Sequence, residues 1–171
     1  MAKLTWSTDL NTGIEVLDGQ HRKIVEYANQ LGDAMSRGGK RKPIENAIAK
    51  LVDYTVSHFA FEESMQEKAQ YPFVRAHRRV HDVLVKRITD YQARFGLGEE
   101  VAGELHKLIS TWLLNHIRYD DMDYVASVGR NSALHPQDAL RIEFPELRNG
   151  IVRRAVLATK PGISMLNVFR K

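Results

Sequence analysis

The segment of residues 58–81, HFAFEESMQEKAQYPFVRAHRRVH, carries the pattern that decides the fold. It contains two pairs of potential metal ligands, His58 with Glu62 and His77 with His81, and the members of each pair are four residues apart. Side chains at this spacing lie on the same face of an α-helix, one turn from each other. The dipeptide YP between the pairs favours a helix start and disfavours helical backbone just before it. The segment therefore predicts two antiparallel helices whose ligand pairs face each other.

The helical pattern extends beyond this segment in both directions. Apolar side chains recur at intervals of three and four residues, which is the spacing of the buried face of an amphipathic helix. The predicted helices begin near Asp18, Pro43, Pro72 and Glu99, and ends are predicted at Gly38-Gly39 for the first, Gly96 for the third and Val128 for the fourth. Four long helices with short connections predict an all-α, antiparallel up-down-up-down four-helix bundle. Residues 1–17 are expected to form an extended N-terminal arm.

The composition restricts both the class of protein and the chemistry of a metal site. The chain has 171 residues, 43% of them hydrophobic, which is enough for one ordinary core. It has no cysteine, so a metal must be held by imidazole and carboxylate groups. No apolar run approaches the ~20 residues of a membrane span, and the opening residues MAKLTWSTDL lack the apolar segment of a signal peptide. We therefore expect a cytoplasmic protein without a membrane span.

Charge divides the chain into two regions. Residues 129–171 carry eight basic and three acidic side chains, whereas residues 1–128 are close to neutral. We predict a bundle domain over residues 1–128 and a basic C-terminal extension over residues 129–171. Leu147, Ile151 and Ala155 lie at helical spacing in the extension, which suits a short helix that packs on the bundle, docks a protein partner or contacts an anionic membrane surface. The modest charge does not favour a nucleic-acid partner.

Titratable side chains interrupt the apolar face of every predicted helix. The first helix places His21 inward, the second His58 and Glu62, the third His77 and His81, and the fourth His116, which is followed by Asp120, Asp121 and Asp123. A single inward histidine is more often a hydrogen-bonded core residue than a ligand, and one HxxxE or HxxxH pair is a weak signal. Six such groups together would be very costly to bury without a cation. Their number suits two metal ions bridged by carboxylates, and the ligand type fits iron without excluding zinc or manganese.

The order of these ligands resembles that of a known family. A histidine followed by HxxxE, HxxxH and HxxxxD, with HFAFEE and YPFVRAHRRVH around the central pairs, is similar to the single-domain bacterial branch of the hemerythrin family over residues 3–127. The resemblance implies a non-haem di-iron centre that binds O2 reversibly, in an oxygen-binding protein rather than an enzyme. It assigns His77, His81 and His116 to one iron, His21 and His58 to an iron with an open position, and Glu62 and Asp121 to the bridges, beside an oxo or hydroxo group.

Helix geometry and the resemblance favour different aspartates after His116. Asp120 is four residues after this histidine and shares its face, whereas Asp121 is five residues after it and lies about 140° away on an ideal helix. A π-turn after His116 would bring Asp121 onto the same face, and such turns are frequent at functional sites. We assign Asp121 as the ligand and predict a local widening of the fourth helix.

Apolar residues at the level of the ligands are predicted to form the O2 pocket. The residues that lie within one turn of a histidine ligand are Ile24, Phe59, Trp112 and Leu113. They would exclude water from the open iron, although the same residues also suit an ordinary core.

Three other functions remain open at the level of sequence. The first is an O2 or redox sensor that signals through the extension, and the second is a di-iron oxidase or a peroxide- or NO-reactive enzyme. The third is a structural zinc or iron-storage bundle, which analysis of the bound metal would decide. Ferritin-like oxidases carry two Glu-x-x-His motifs, and this sequence has none. His106 and His135 fall outside the ligand pattern and are expected at the surface.

Overall fold

Four helical rods pack side by side in the computed structural model, which describes residues 3–38 and 40–130. In chain order the helices are α1 (Glu15–Ser36), α2 (Arg41–Lys68), α3 (Val74–Gly96), α4 (Ala102–His116) and α5 (Met122–Arg130), preceded by a short 3₁₀ turn at Thr8–Leu10. Five π-helical residues, Ile117–Asp121, join α4 to α5, and the three pieces form the fourth rod. Each rod packs on the next, and α4 also packs on α1, which closes the ring. The predicted four-helix bundle is confirmed, and no strand occurs within the described residues.

The first helix begins earlier than the sequence analysis placed it. We expected a start near Asp18, but α1 begins at Glu15, and the amide of Asp18 already donates to the carbonyl oxygen of Ile14 at 2.9 Å. The Asp18 carboxylate instead accepts hydrogen bonds from the amide and the hydroxyl of Thr12, at 2.8 and 2.7 Å. It therefore satisfies donors of the loop that precedes the helix, which ties the N-terminal arm to α1.

Prolines mark the starts of α2 and α3 to within two residues. α2 begins at Arg41, so Pro43 lies in its first turn, where a missing amide hydrogen removes no helical hydrogen bond. α3 begins at Val74, and Pro72 belongs to the preceding turn, in which the amide of Val74 donates to the carbonyl oxygen of Tyr71 at 3.3 Å. The helix–turn–helix predicted for this part of the chain is confirmed.

Two apolar clusters fill the bundle, and the titratable residues of every helix lie between them. The larger cluster includes Ile24, Ile48, Leu51, Leu84, Ile88, Leu105 and Leu113. The smaller cluster consists of Leu17, Phe61, Met65, Tyr71 and Tyr124. Along each rod, the ligand candidates lie between residues of the larger cluster and residues of the smaller cluster. Apolar side chains therefore enclose the polar centre from both ends of the bundle.

The N-terminal arm lies along α1. The backbone amide and carbonyl oxygen of Leu4 both bond the side-chain amide of Asn29, at 2.9 Å each, and Leu10 is buried. These contacts hold the arm, and with it Trp6, against the helix that carries His21.

His106 corrects the sequence analysis, which placed this residue at the surface. It lies on α4, is 6% exposed, and has its ring against α1, with Nε2 3.1 Å from the position that a Cβ on Gly32 would occupy. The small residue on α1 leaves the space that the ring fills. The pattern missed this contact because it depends on how α1 and α4 are rotated against each other.

The C-terminal extension cannot be compared with its predictions, because residues 131–171 lie outside the described part of the chain. The predictions for His135 and for the basic helix of the extension fall in this range. Among the described residues, no helix has both the length and the apolar character needed to cross a membrane.

Candidate metal centre

Seven titratable side chains converge between the two apolar clusters. α1 supplies His21, α2 supplies His58 and Glu62, α3 supplies His77 and His81, α4 supplies His116, and the π-helical segment supplies Asp121. Each of the seven is at most 6% exposed. The structure thus brings together every residue that the sequence analysis proposed as a ligand.

One group of donor atoms contains three histidines. Nε2 of His81, His116 and His77 lies 3.2, 3.8 and 3.9 Å, respectively, from Glu62 Oε2. The ligand atoms of these four residues all lie within 4.8 Å of one another, which is close enough for a single metal ion. Asp121 Oδ1 joins the same group, at 3.1 Å from His116 Nε2.

A second group contains two histidines and shares the same glutamate. His58 Nε2 lies 3.6 Å from Glu62 Oε2, and His21 Nε2 lies 3.7 Å from Glu62 Oε1. These three residues also offer ligand atoms within 4.8 Å of one another. Asp121 Oδ2 lies 3.3 Å from His21 Nε2, so the two oxygens of this carboxylate face different groups. Both carboxylates therefore face the two groups of histidines, as bridging ligands would.

The π-helical segment decides which aspartate faces the centre. Asp121 is fully buried, whereas the side chain of Asp120 is 42% exposed. The segment Ile117–Asp121 widens the turn after His116, so the residue five positions on replaces the residue four positions on at the inner face. The predicted widening of the fourth helix is confirmed. Asp120 still contacts the histidine, but from outside, since it accepts the Nδ1 hydrogen of His116 at 2.9 Å.

The inward donor atoms fit metal ions, because their own hydrogen bonding is incomplete. Among the described residues, no hydrogen bond reaches Nε2 of His21, His58 and His77, Oε2 of Glu62, or either carboxylate oxygen of Asp121. His81 Nε2 and His116 Nε2 lie 3.0 Å apart, while each ring donates its Nδ1 hydrogen to a carboxylate on its outer side. When both rings are neutral, the two inward nitrogens present lone pairs to each other, and a cation between them would satisfy both.

Comparison with known proteins agrees with the geometry of this site. A model of the hemerythrin HHE cation binding domain matches residues 12–128. The chain belongs to the hemerythrin family. It is 52% identical over 128 residues to a bacteriohemerythrin of Pseudomonas aeruginosa, covering 75% of this chain and 83% of that one. It is 36% identical over 126 residues to a bacteriohemerythrin of Methylococcus capsulatus, covering 72% and 95%.

The fold agrees with a solved structure of the hemerythrin family as well. A crystal structure of wild-type hemerythrin superposes with a TM-score of 0.70 at 33% sequence identity. The match covers 74% of this chain and 98% of that chain, so the likeness concerns the whole bundle.

The pKa values of His21 and His58, the histidines of the two-histidine group, are shifted in opposite directions. Burial lowers the pKa of His21, but Asp121 and Glu62 outweigh this effect and raise the pKa to about 9. Burial lowers the pKa of His58 to about 3, because the attraction of Glu62 does not compensate for lost hydration. Despite burial, the surrounding histidines hold the pKa of Glu62 well below its ordinary value. The Glu62 carboxyl is therefore ionised at neutral pH in the metal-free protein.

Several residues that the sequence analysis missed hold the ligands from outside. His58 donates its Nδ1 hydrogen to Gln20 Oε1 at 2.9 Å, and His81 donates its Nδ1 hydrogen to Glu63 Oε1 at 3.0 Å. The buried hydroxyl of Tyr124 donates to Glu62 Oε1 at 2.8 Å. Of these three residues, only Glu63 could have been suspected from the sequence, because it directly follows the proposed ligand Glu62. Periodicity alone could not have found the other two, because their partners lie on neighbouring rods.

Two of the four residues proposed for the O2 pocket stack on histidine rings, and all four are at least partly buried. Ile24, Phe59 and Leu113 are buried, and Trp112 is partly buried. The ring of Phe59 stacks on His81 with centroids 3.9 Å apart, and Trp112 stacks on His116 at 4.2 Å. Both aromatic rings cover histidines of the three-histidine group, whereas they were expected over the open iron. Phe59 also lies near the two-histidine group, with its ring centroid 5.7 Å from that of His58.

The two-histidine group has an aromatic neighbour of its own in the N-terminal arm. Trp6 stacks on His21 with ring centroids 6.2 Å apart. Its indole Nε1 donates to Asn11 Oδ1 at 2.9 Å, and the guanidinium of Arg22 lies over its ring at 5.2 Å. The arm therefore contributes to the wall around His21.

Proposed function

We propose that this chain binds O2 reversibly at a non-haem di-iron centre. The observation that carries the proposal is the unequal pair of ligand groups, one with three histidines and one with two, which share Glu62 between them. Equal donor sets would saturate both irons alike, whereas unequal sets leave a position for a small ligand at one of them. Membership of the hemerythrin family supports the same reading.

The proposed ligands follow the distances within the cluster. His77, His81 and His116 would hold one iron, His21 and His58 would hold the other, and Glu62 and Asp121, which face both groups, would hold both. When bound, the iron pair supplies the two electrons that O2 accepts on binding and returns on release. Because three histidines would hold the first iron together with the two carboxylates, the second iron, with two histidines, would be the one able to take a small ligand.

The protein's own residues would hold the centre dry and its ligands in place. Phe59 and Trp112 lie flat against histidine rings, and Ile24 is completely buried one turn from His21. Apolar walls of this kind exclude water, which would otherwise hasten irreversible oxidation. Tyr124 holds one oxygen of the shared glutamate by its hydrogen bond to Glu62 Oε1. The absence of Glu-x-x-His motifs distinguishes this donor set from that of ferritin-like oxidases.

The test is the visible spectrum of the iron-loaded, chemically reduced protein through cycles of air and argon. We expect a charge-transfer band that forms in air and disappears under argon over several cycles. An irreversible ferric spectrum after the first exposure to air would contradict O2 carriage and would favour a redox sensor or an oxidase.

A matched pair of variants separates the pocket from general stability. Ile24 and Ile88 are both completely buried, but Ile88 lies two turns from the nearest ligand on its helix. We expect Ile24→Thr to accelerate irreversible oxidation several-fold, because it brings a hydroxyl group next to the centre. Ile88→Thr should oxidise at the rate of the unchanged protein. Equal acceleration in both variants would show that loss of packing, and not the pocket, controls oxidation.

A further inference from the structure

We infer that Glu63 and Asp120 are positioning residues that make the three-histidine half of the centre the more electron-rich half. The inference rests on the proposed di-iron function and concerns residues outside the ligand set. Two of the three histidines in this half donate their outer Nδ1 hydrogen to a carboxylate, His81 to Glu63 at 3.0 Å and His116 to Asp120 at 2.9 Å. The two-histidine half has no such acceptor among the described residues.

The outer partners of the two-histidine half are neutral or missing. His58 donates its Nδ1 hydrogen to the amide oxygen of Gln20 at 2.9 Å. His21 Nδ1 is buried and forms no hydrogen bond with any described residue. The two halves thus differ in the charge of their outer acceptors as well as in their number of histidines.

Hydrogen bonds from imidazole to carboxylate have two consequences for a metal ligand. They fix the tautomer, so that Nε2 presents its lone pair to the metal, and they increase the electron density on that nitrogen. Nε2 of His81 and Nε2 of His116 lie 3.0 Å apart, so both rings direct this nitrogen toward the same point. A more basic ligand favours the oxidised metal, so these carboxylates would stabilise the oxidised state of the first iron over that of the second.

Glu63 and Asp120 differ in exposure and in their other contacts, which predicts that their effects on the histidines differ in size. Glu63 is 19% exposed and also accepts from Arg78 Nε at 2.7 Å, and Arg78 in turn donates to Glu67 at 2.6 Å. Asp120 is 42% exposed and bonds only its histidine among the described side chains. Water screens the more exposed charge, so Glu63 should have the larger effect on its ligand.

The variants Glu63→Gln and Asp120→Asn remove the charge while keeping an acceptor oxygen. Gln20→Glu adds a charge on the opposite half. Each variant has two readouts, the affinity for Co²⁺ by chelator competition without O2, and the midpoint potential of the iron-loaded centre. We expect Glu63→Gln to weaken Co²⁺ binding by about 10–100-fold, as is usual for outer partners of metal-binding histidines. Asp120→Asn should have a smaller effect in the same direction.

The midpoint potentials give the sign of the effect. We expect both charge-removing variants to have a more positive potential than the unchanged protein, and Gln20→Glu a more negative one. Matched controls are Glu67→Gln, which contacts the same Arg78 but no histidine, and Asp123→Asn, an exposed carboxylate three residues from Asp120. Both controls should leave affinity and potential unchanged.

The inference is overturned if Glu63→Gln and Asp120→Asn match their controls in both readouts. Equal shifts in all four charge-removing variants would also overturn it, since net charge would then explain them. Because Co²⁺ affinity requires no O2, a protein that shows the predicted ranking but oxidises irreversibly would refute the proposed O2 carriage and leave the positioning role intact.

Discussion

His21 and His58 lie side by side, with ring centroids 4.6 Å apart, yet their surroundings favour opposite protonation states. The pKa of His21 is raised to about 9 because two carboxylates outweigh its burial, whereas burial lowers the pKa of His58 to about 3. At neutral pH the first ring therefore carries a proton where a metal would bind, and the second does not. Metal and proton compete for the same lone pair of His21.

Binding of Co²⁺ to the metal-free protein should therefore release protons at neutral pH. A raised pKa means that His21 stays protonated between about pH 6.5 and about pH 9, so affinity should increase with pH across this range and level off above it. Calorimetry in buffers of different ionisation enthalpy measures the protons released. His58 should contribute none, because it is already neutral there. An affinity that does not change with pH over this range would contradict the prediction.

The π-helical segment and the α1–α4 contact show how single elements place the site. Ile117–Asp121 adds one residue to a turn, which redirects Asp121 inward and leaves Asp120 as an outer acceptor for His116. At the other end of α4, His106 packs into the space above Gly32. In both cases the backbone of one helix determines where a side chain can lie against a neighbouring helix.

Two glycines of α1 form a matched test of this packing. Gly19→Ala meets no atom within 4 Å, so it should raise the free energy of unfolding by about 0.5–1 kcal/mol through helix propensity. Gly32→Ala has the same propensity gain, but its Cβ would lie 3.1 Å from Nε2 of the buried His106. Overpacking costs about 1–3 kcal/mol, so we expect this variant to be less stable than the first by about 1 kcal/mol or more. Chemical denaturation measures the difference in stability. Equal stabilities would show that the His106 ring can move to make room for the new Cβ without cost.

On the scale of the whole molecule, the bundle encloses a polar centre between two apolar clusters. All four rods contribute to this centre, and several of its buried ligand atoms have no hydrogen-bond partner among the described residues. Burial of such groups opposes folding unless a partner compensates for lost hydration. Metal ions would supply that partner and would link the four rods to one another.

Metal removal should therefore lower stability markedly. At a free metal concentration ~1,000-fold above Kd, binding to the folded state alone adds about 4 kcal/mol to the free energy of unfolding. Thermal unfolding with Co²⁺ and with excess chelator measures the shift without involving O2. His77→Ala/His81→Ala serves as the control, because it removes two proposed ligands of the three-histidine group and should show a clearly smaller metal-dependent shift. A metal-dependent shift of the same size in this control would place the stabilising metal elsewhere.

The sequence by itself determined the four helices, their inward faces and the residues that meet at the centre. Apolar residues that recur at intervals of three and four residues show which side of a helix is buried. Titratable groups on that side could therefore be identified from the sequence. Helical spacing alone favoured Asp120. The resemblance to the hemerythrin family is what implied Asp121, and with it a π-turn after His116.

Only the tertiary structure decided which atoms hold the ligands in place. Gln20, Glu63 and Tyr124 act across rods or from outside the ligand stripe, and the burial of His106 depends on its fit to Gly32. Periodicity describes one helix at a time, whereas these contacts depend on the rotation and height of one helix against its neighbour. Those quantities are set by packing of the whole bundle, so no local pattern could contain them.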